Sequence, residues 1–164
     1  MTKTTIRTLD EIPEYASWVE VAKTYSKCQR LLTARLGELG LSIARYETLL
    51  AIARDEGLSQ RNLGDRLLAA KSNVTGLLQR LEAAELIRRE TDEHDARGHR
   101  VFLTAAGRGL LGEGVRAQAS VVQLMMEDIK QSEARTIGRL MRKVGQSLDA
   151  ALDAPSTQDA KLDR

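Results

Sequence analysis

This 164-residue chain has one cysteine, two histidines and very few aromatic side chains, and each shortage closes off a class of protein. Cys28 has no second cysteine to pair with, and His94 and His99 are too few to complete a Cys/His zinc site with it, so neither a disulfide framework nor a structural metal is expected. Aromatic residues make up 3% of the chain against 42% hydrophobic residues overall, with Ala, Leu, Arg and Glu dominant, a composition that favours packed helices over an all-β fold. Long apolar runs are missing too. The apolar stretches are short and broken by charge, and the opening residues MTKTTIRTLDEIPEY hold no apolar core followed by a cleavage pattern. Neither a membrane span nor a signal peptide is expected, and the expected location is the cytoplasm. No sequence feature calls for a cofactor. A surplus of one charge sign is also lacking: the net charge is +2, and residues 60–104 carry eight bases against seven acids. Charge alone names no partner, so placement must carry the argument.

What the chain has is helical periodicity, and enough length to bury a core without staples. Trp18, Ala22, Tyr25, Cys28, Leu32 and Leu36 recur in steps of three and four over residues 14–37 and mark one face of a first helix. Gly40 supplies a stop and Ser42 an N-cap for a second helix with Tyr46, Leu49, Leu50 and Ala53, which Gly57 ends. Ser59 caps a short third helix carrying Leu63, Leu67 and Leu68, and a fourth spans about Ser72 to Ala84. Two short helices in quick succession are a helix-turn-helix signal. Ile87–Thr91 and Arg100–Thr104 read as short strands, and the polar, glycine-containing residues 92–99 between them as a hairpin tip, together forming a wing. Thr104 caps a long fifth helix with Leu111, Val115, Ala119, Val122, Met126 and Ile129, and a sixth carries Ile137, Leu140, Met141, Val144, Leu148, Ala151 and Leu152.

The expected fold is therefore mainly α with a small β-hairpin wing: a winged helix-turn-helix, residues 42–104, within an intertwined helical homodimer. The first and last helices present apolar stripes that the short central motif cannot cover, which assigns residues 14–37 and 105–153 to dimerisation and residues 154–164 to a flexible tail.

At about 100° per residue, Val74, Leu77, Leu78 and Leu81 share the inner face of the fourth helix, and Ser72, Thr75, Gly76 and Gln79 lie opposite. Asn73 and Arg80 flank that outer face. Amides, hydroxyls and a guanidinium suit major-groove base edges, and Gly76 permits close approach to a duplex. A polar stripe by itself is more often just a solvated face; the preceding short helix, with Gln60, Arg61 and Lys71 at its ends, turns the reading toward recognition. In the wing, Arg97, His99 and Arg100 sit near the tip, where an extended guanidinium fits a narrow minor groove and the others reach phosphates. Asp95, two residues before Arg97, is placed to orient it.

At these residues the chain resembles the MarR family of bacterial winged-helix regulators. The resemblance rests on Leu58-Ser59-Gln60, on Leu63-Gly64-Asp65-Arg66-Leu67, on Ser72 through Glu82, on Leu86-Ile87-Arg88-Arg89, and on Asp92, Asp95, Arg97, Val101, Leu103, Thr104 and Gly107. It implies a dimer built from both termini, the second motif helix in the major groove of a palindromic duplex, the wing arginine at the minor groove, and repression relieved by a small aromatic anion or by oxidation. Where the family commonly has glycine before the leucine that enters the wing, this chain has Glu85, so a local difference in backbone is expected there.

For an effector, Trp18, Tyr46 and Glu47 are placed to line a cleft beside the DNA-binding lobe, with Arg88 or Arg89 meeting an anion. Core packing is the commoner role for each aromatic taken singly. A tryptophan in the first helix resembles urate-responsive members, but the acidic residue of the second helix is Glu47 where aspartate is sought. For redox control, peroxide-sensing members carry their cysteine about two turns earlier, near Val21, so Cys28 reads as packing. Two other readings stand beside the regulator. One is a thiol enzyme using Cys28, which lacks any base nearby in sequence; the other is a helical interaction protein with no nucleic-acid role.

Overall fold

The computed structural model describes residues 9–66, 74–92 and 95–154. After a 3-10 turn, Leu9–Glu11, the chain forms α1 (Tyr15–Gly37), α2 (Ile43–Arg54), β1 (Leu58–Ser59), α3 (Gln60–Arg66), α4 (Val74–Ala83), β2 (Ile87–Asp92), β3 (Asp95–Leu103), α5 (Ala105–Met126) and α6 (Gln131–Asp153). It divides into two compact units, residues 1–122 and 123–164.

In the first unit the expected caps are in place. The Ser42 hydroxyl accepts the Arg45 N–H at 3.3 Å, Ser59 accepts Asn62 N–H at 3.2 Å, and Thr104 accepts Gly107 N–H at 3.0 Å, each satisfying a donor the first helical turn leaves without a partner. Leu32, Leu36, Leu41, Tyr46, Leu49, Ile52, Leu58, Leu63, Leu78, Leu81, Ile87, Val101 and Leu103 form the centre of one core that joins α1, α2, the motif helices and the sheet.

The α1 and α4 exits are the same device built from different residues. After α1, Leu41 N–H bonds to Leu36 O at 2.9 Å and Gly40 N–H to Gly37 O at 3.0 Å; after α4, Leu86 N–H bonds to Leu81 O at 2.9 Å and Glu85 N–H to Glu82 O at 2.8 Å. Both are Schellman caps, which need a left-handed residue. Gly40 supplies it at φ 69°, and Glu85 adopts it at φ 56°. The expected backbone difference at Glu85 is thus absent: the cap geometry is kept, and the side chain bears a left-handed conformation that costs an L-residue about 1–2 kcal/mol. Glu85→Gly is expected to stabilise the fold by about 1 kcal/mol, read as a rise in thermal midpoint of roughly 2–4 °C.

The sheet runs β1-β3-β2, antiparallel throughout. Two features differ from the sequence reading. β1 is only two residues, pairing Leu58 with Val101 and Ser59 with Arg100, too short to show any alternation. β3 begins at Asp95 rather than Arg100, because ladder pairing continues through Glu90–Arg100 and Thr91–His99. An irregularity between Thr91 and Asp92 then pairs Asp92 with Asp95, so Ala96, Arg97 and Gly98 are extra residues on one strand instead of a loop tip.

On α5 the face turned to the core is Gly107, Leu111, Gly114 and Val121. Of the stripe expected from periodicity, Leu111 is buried whereas Val115 and Val122 are exposed. The Tyr46 ring decides this: a Cβ on Gly114 would stand 2.7 Å from Tyr46 Cδ2, so α5 turns its glycine, not a branched side chain, to the ring.

The second unit contains the end of α5 and all of α6. Glu133 accepts the Lys130 N–H at 2.8 Å and places a carboxylate at the positive end of the helix. Ile137, Leu140, Met141, Val144, Leu148 and Leu152 are all exposed, Leu152 at 82%.

Candidate nucleic-acid interface

α4 is held to the body of its unit by Val74, Leu77, Leu78 and Leu81, all buried. That anchoring turns Thr75, Gln79 and Arg80 outward, where all three are exposed, with Gly76 half-buried beside them. Gln60, at the start of α3, donates its amide N–H to the Thr75 hydroxyl at 2.8 Å. The first residue of one motif helix is thereby pinned to the second residue of the other, and Gln60, Thr75 and Gln79 become part of one polar surface. Arg61 is exposed on α3. Lys71, Ser72 and Asn73 lie outside the described residues.

The wing carries His99 and Arg100 exposed on β3, and Asp95 and Arg97 belong to the same strand, with their side chains outside the described set. On β2 the two arginines point to opposite faces, as strand alternation requires. Arg88 lies over the Phe102 ring at 4.6 Å, its cross-strand partner, and forms an ion pair with Glu90. Arg89 shares the face of buried Ile87 and grips Glu82 of α4, its Nε donating to Oε2 at 2.9 Å and its Nη2 to the same oxygen.

Glu82 was not singled out by sequence, and its partner explains why. The pair spans a helix exit and a strand entry, a spacing of seven residues with no periodic signature. Glu56 and Arg108 form a second such pair, joining the end of α2 to α5 through both carboxylate oxygens. In each case the arginine hydrogen bond holds the carboxyl below the usual carboxylate range, against the opposing effect of burial. A lowered carboxyl pKa stabilises the fold at neutral pH, and that contribution is lost as pH falls through the lowered value. Acidification below about pH 5 is therefore expected to lower the urea midpoint, and Glu82→Gln to show a smaller acid-induced drop than the parent.

The effector candidates sit in different surroundings. Trp18 is 61% exposed on α1, whereas Tyr46 is 2% exposed within the core and donates its hydroxyl to Gln118. Burial pushes the Tyr46 phenol above its ordinary range, a pull that Arg54 partly opposes. Glu47 is half-buried on α2, and both Arg88 and Arg89 are engaged as described. Cys28 is half-buried and packed against the core cluster.

The comparisons with known proteins fit this geometry. The MarR family model matches residues 39–98, the span from the end of α1 to the wing. The regulator SarZ of Staphylococcus aureus is 31% identical over 123 residues, covering 75% of this chain and 77% of SarZ. The chain belongs to the MarR family. Its members are transcriptional regulators with a DNA-binding winged helix-turn-helix, not enzymes, which removes the thiol-enzyme reading of Cys28. TtmR of Methylorubrum extorquens, an HTH-type transcriptional regulator, is 42% identical over 73 residues, 44% of this chain but only 37% of TtmR. A cysteine-to-serine mutant of MarR from E. coli, crystallised with operator DNA, has the same fold with a TM-score of 0.71 at 22% identity, covering 85% of this chain and 99% of that one. Among the described residues no helix is long and apolar enough to cross a membrane.

Proposed function

We infer that this MarR-family protein binds a palindromic DNA duplex as a homodimer and represses transcription, with a small aromatic anion as the releasing ligand. The observation that carries the reading is the division of α4 into a buried Val74/Leu77/Leu78/Leu81 face and an exposed Thr75/Gln79/Arg80 face. A helix so anchored can enter a major groove without surrendering core contacts. Thr75 and Gln79 are the base-edge readers, Arg61, Arg80, His99 and Arg100 the phosphate contacts, and Arg97 the minor-groove contact, oriented by Asp95.

Dimerisation is supported by what the single chain leaves uncovered. Trp18, Val21 and Tyr25 on α1, Val122, Leu124 and Met125 near the end of α5, and the row from Ile137 to Leu152 on α6 are all exposed. So many large apolar side chains on helices drawn from both ends of the sequence favour a second copy over water. In this reading residues 14–37 and 105–153 make the dimer frame and residues 42–104 the reading head. The ligand and the sense of regulation rest on the family resemblance alone.

A salt-varied mobility shift on the protein's own upstream DNA, with excess unrelated duplex as competitor, tests the reading. Competitor-resistant retardation that weakens steeply with salt is expected, with sedimentation at twice the monomer mass. Equal, weak retention of all duplexes would put a helical interaction protein in its place.

A further inference from the structure

The Glu82–Arg89 pair occupies a position where a carboxylate is unwelcome. Glu82 lies in the last turn of α4, where the helix dipole presents its negative end, and it is followed by a left-handed exit at Glu85. What offsets this is the guanidinium of Arg89, the third residue of the wing strand β2, held by two nitrogens on one carboxylate oxygen. The Arg89 side chain is 24% exposed and that of Glu82 36%, so the contact is partly sheltered from water. Beyond it in the chain, β2 runs out to the wing, and one turn back along α4 lie Gln79 and Arg80. Helix and strand are joined as well by the turn 84–86 and by the apolar core that Leu78, Leu81 and Ile87 share.

We propose that the Glu82–Arg89 ion pair is the strut that sets the angle between the recognition helix and the wing, so that both meet one duplex in register. This rests on the DNA-reading assignment above and names Glu82 and Arg89 as positioning residues rather than DNA contacts. Apolar packing is non-directional, so the turn and the core contacts hold α4 against the sheet without fixing its angle. Two hydrogen bonds, from Nε and Nη2 to one Glu82 oxygen, restrict that angle, because the edge of the guanidinium must stay turned to that oxygen for both to form. Specific binding needs helix and wing placed together, whereas non-specific binding needs only basic side chains near phosphates. The strut therefore governs the ratio of specific to non-specific affinity.

Two measurements on the full-length protein separate this from a plain stability role. In a Cys28→Ser background, nitroxide labels at positions 80 and 91 report the helix-to-wing distance without any DNA. Glu82→Gln and Arg89→Gln are expected to broaden that distribution, and the double variant to broaden it no further than either single one. On DNA, the same substitutions are expected to lower operator affinity about tenfold while changing affinity for unrelated duplex less than about twofold. Arg89→Lys, which keeps the charge but loses the fork, is expected to retain stability and still broaden the distribution. An unchanged distance distribution in folded variants overturns the strut. So does an equal loss on both duplexes, which would make Arg89 a direct phosphate contact. A parent protein that shows no preference for operator overturns the DNA reading itself, and the label distances then report on the strut separately.

Discussion

Gly107→Ala is expected to lower the thermal midpoint by roughly 6–12 °C, corresponding to about 3 kcal/mol, and to weaken DNA binding in proportion to the protein left folded. A Cβ at this position would stand 1.9 Å from the Leu86 carbonyl oxygen and 2.9 Å from its carbon. Neither atom belongs to a side chain that can rotate away. The carbonyl is also fixed from the other side, since it accepts the Thr104 N–H at 3.1 Å, and the Thr104 hydroxyl donates to Glu85 O at 2.6 Å. The first turn of α5 and the exit of α4 are thus pressed together at a point where backbone meets backbone. Gly109→Ala is the control: nothing lies within 4 Å of its added Cβ, so the ordinary helix preference for alanine is expected to raise stability by up to about 1 kcal/mol. Opposite signs two residues apart on one helix, read by thermal melts, check the close approach; matching signs would refute it.

Gln79→Ala is expected to cost about 1–3 kcal/mol of operator affinity, roughly five- to 150-fold, and to leave the melting curve unchanged. Gln79 is exposed and no core contact depends on it, whereas its amide sits on the outer face that α4 turns to solvent. Arg80→Ala, one residue further, is expected to behave differently. A phosphate contact should weaken binding on all duplexes alike and reduce the slope of log affinity against log salt by about 1. Mobility shifts over a salt series on operator and unrelated DNA distinguish the two patterns. A Gln79 variant with full operator preference would remove α4 as the reading element.

Much of the fold was legible in the sequence because its signals are local. Ser42, Ser59 and Thr104 are small polar residues just ahead of apolar periodicity, and each accepts the hydrogen bond expected of a cap. The buried face of α4 follows from the 3.6-residue period alone. The outward set Thr75, Gln79 and Arg80 follows from the same period, and the MarR resemblance from the motif around it.

The features that escaped are those in which a residue's neighbour lies far off in sequence or the spacing is aperiodic. β1 exists only because Val101 and Arg100 offer it a ladder, and β3 starts early only because β2 extends its pairing. The face of α5 turned inward depends on the Tyr46 ring, which is 68 positions from Gly114. Glu85 keeps a glycine's backbone conformation because the Leu86 to Leu81 bond and the packing of Gly107 on Leu86 demand it. The gripping of Glu82 by Arg89 likewise needs a helix exit and a strand entry to be in place first. Local hydrogen bonding and side-chain period are written in consecutive residues, so the sequence by itself determined the helices, their caps and the outward face of α4. Close approach of backbones, strand register and ion pairs across a turn arise only when distant segments meet, and these the tertiary structure alone decided.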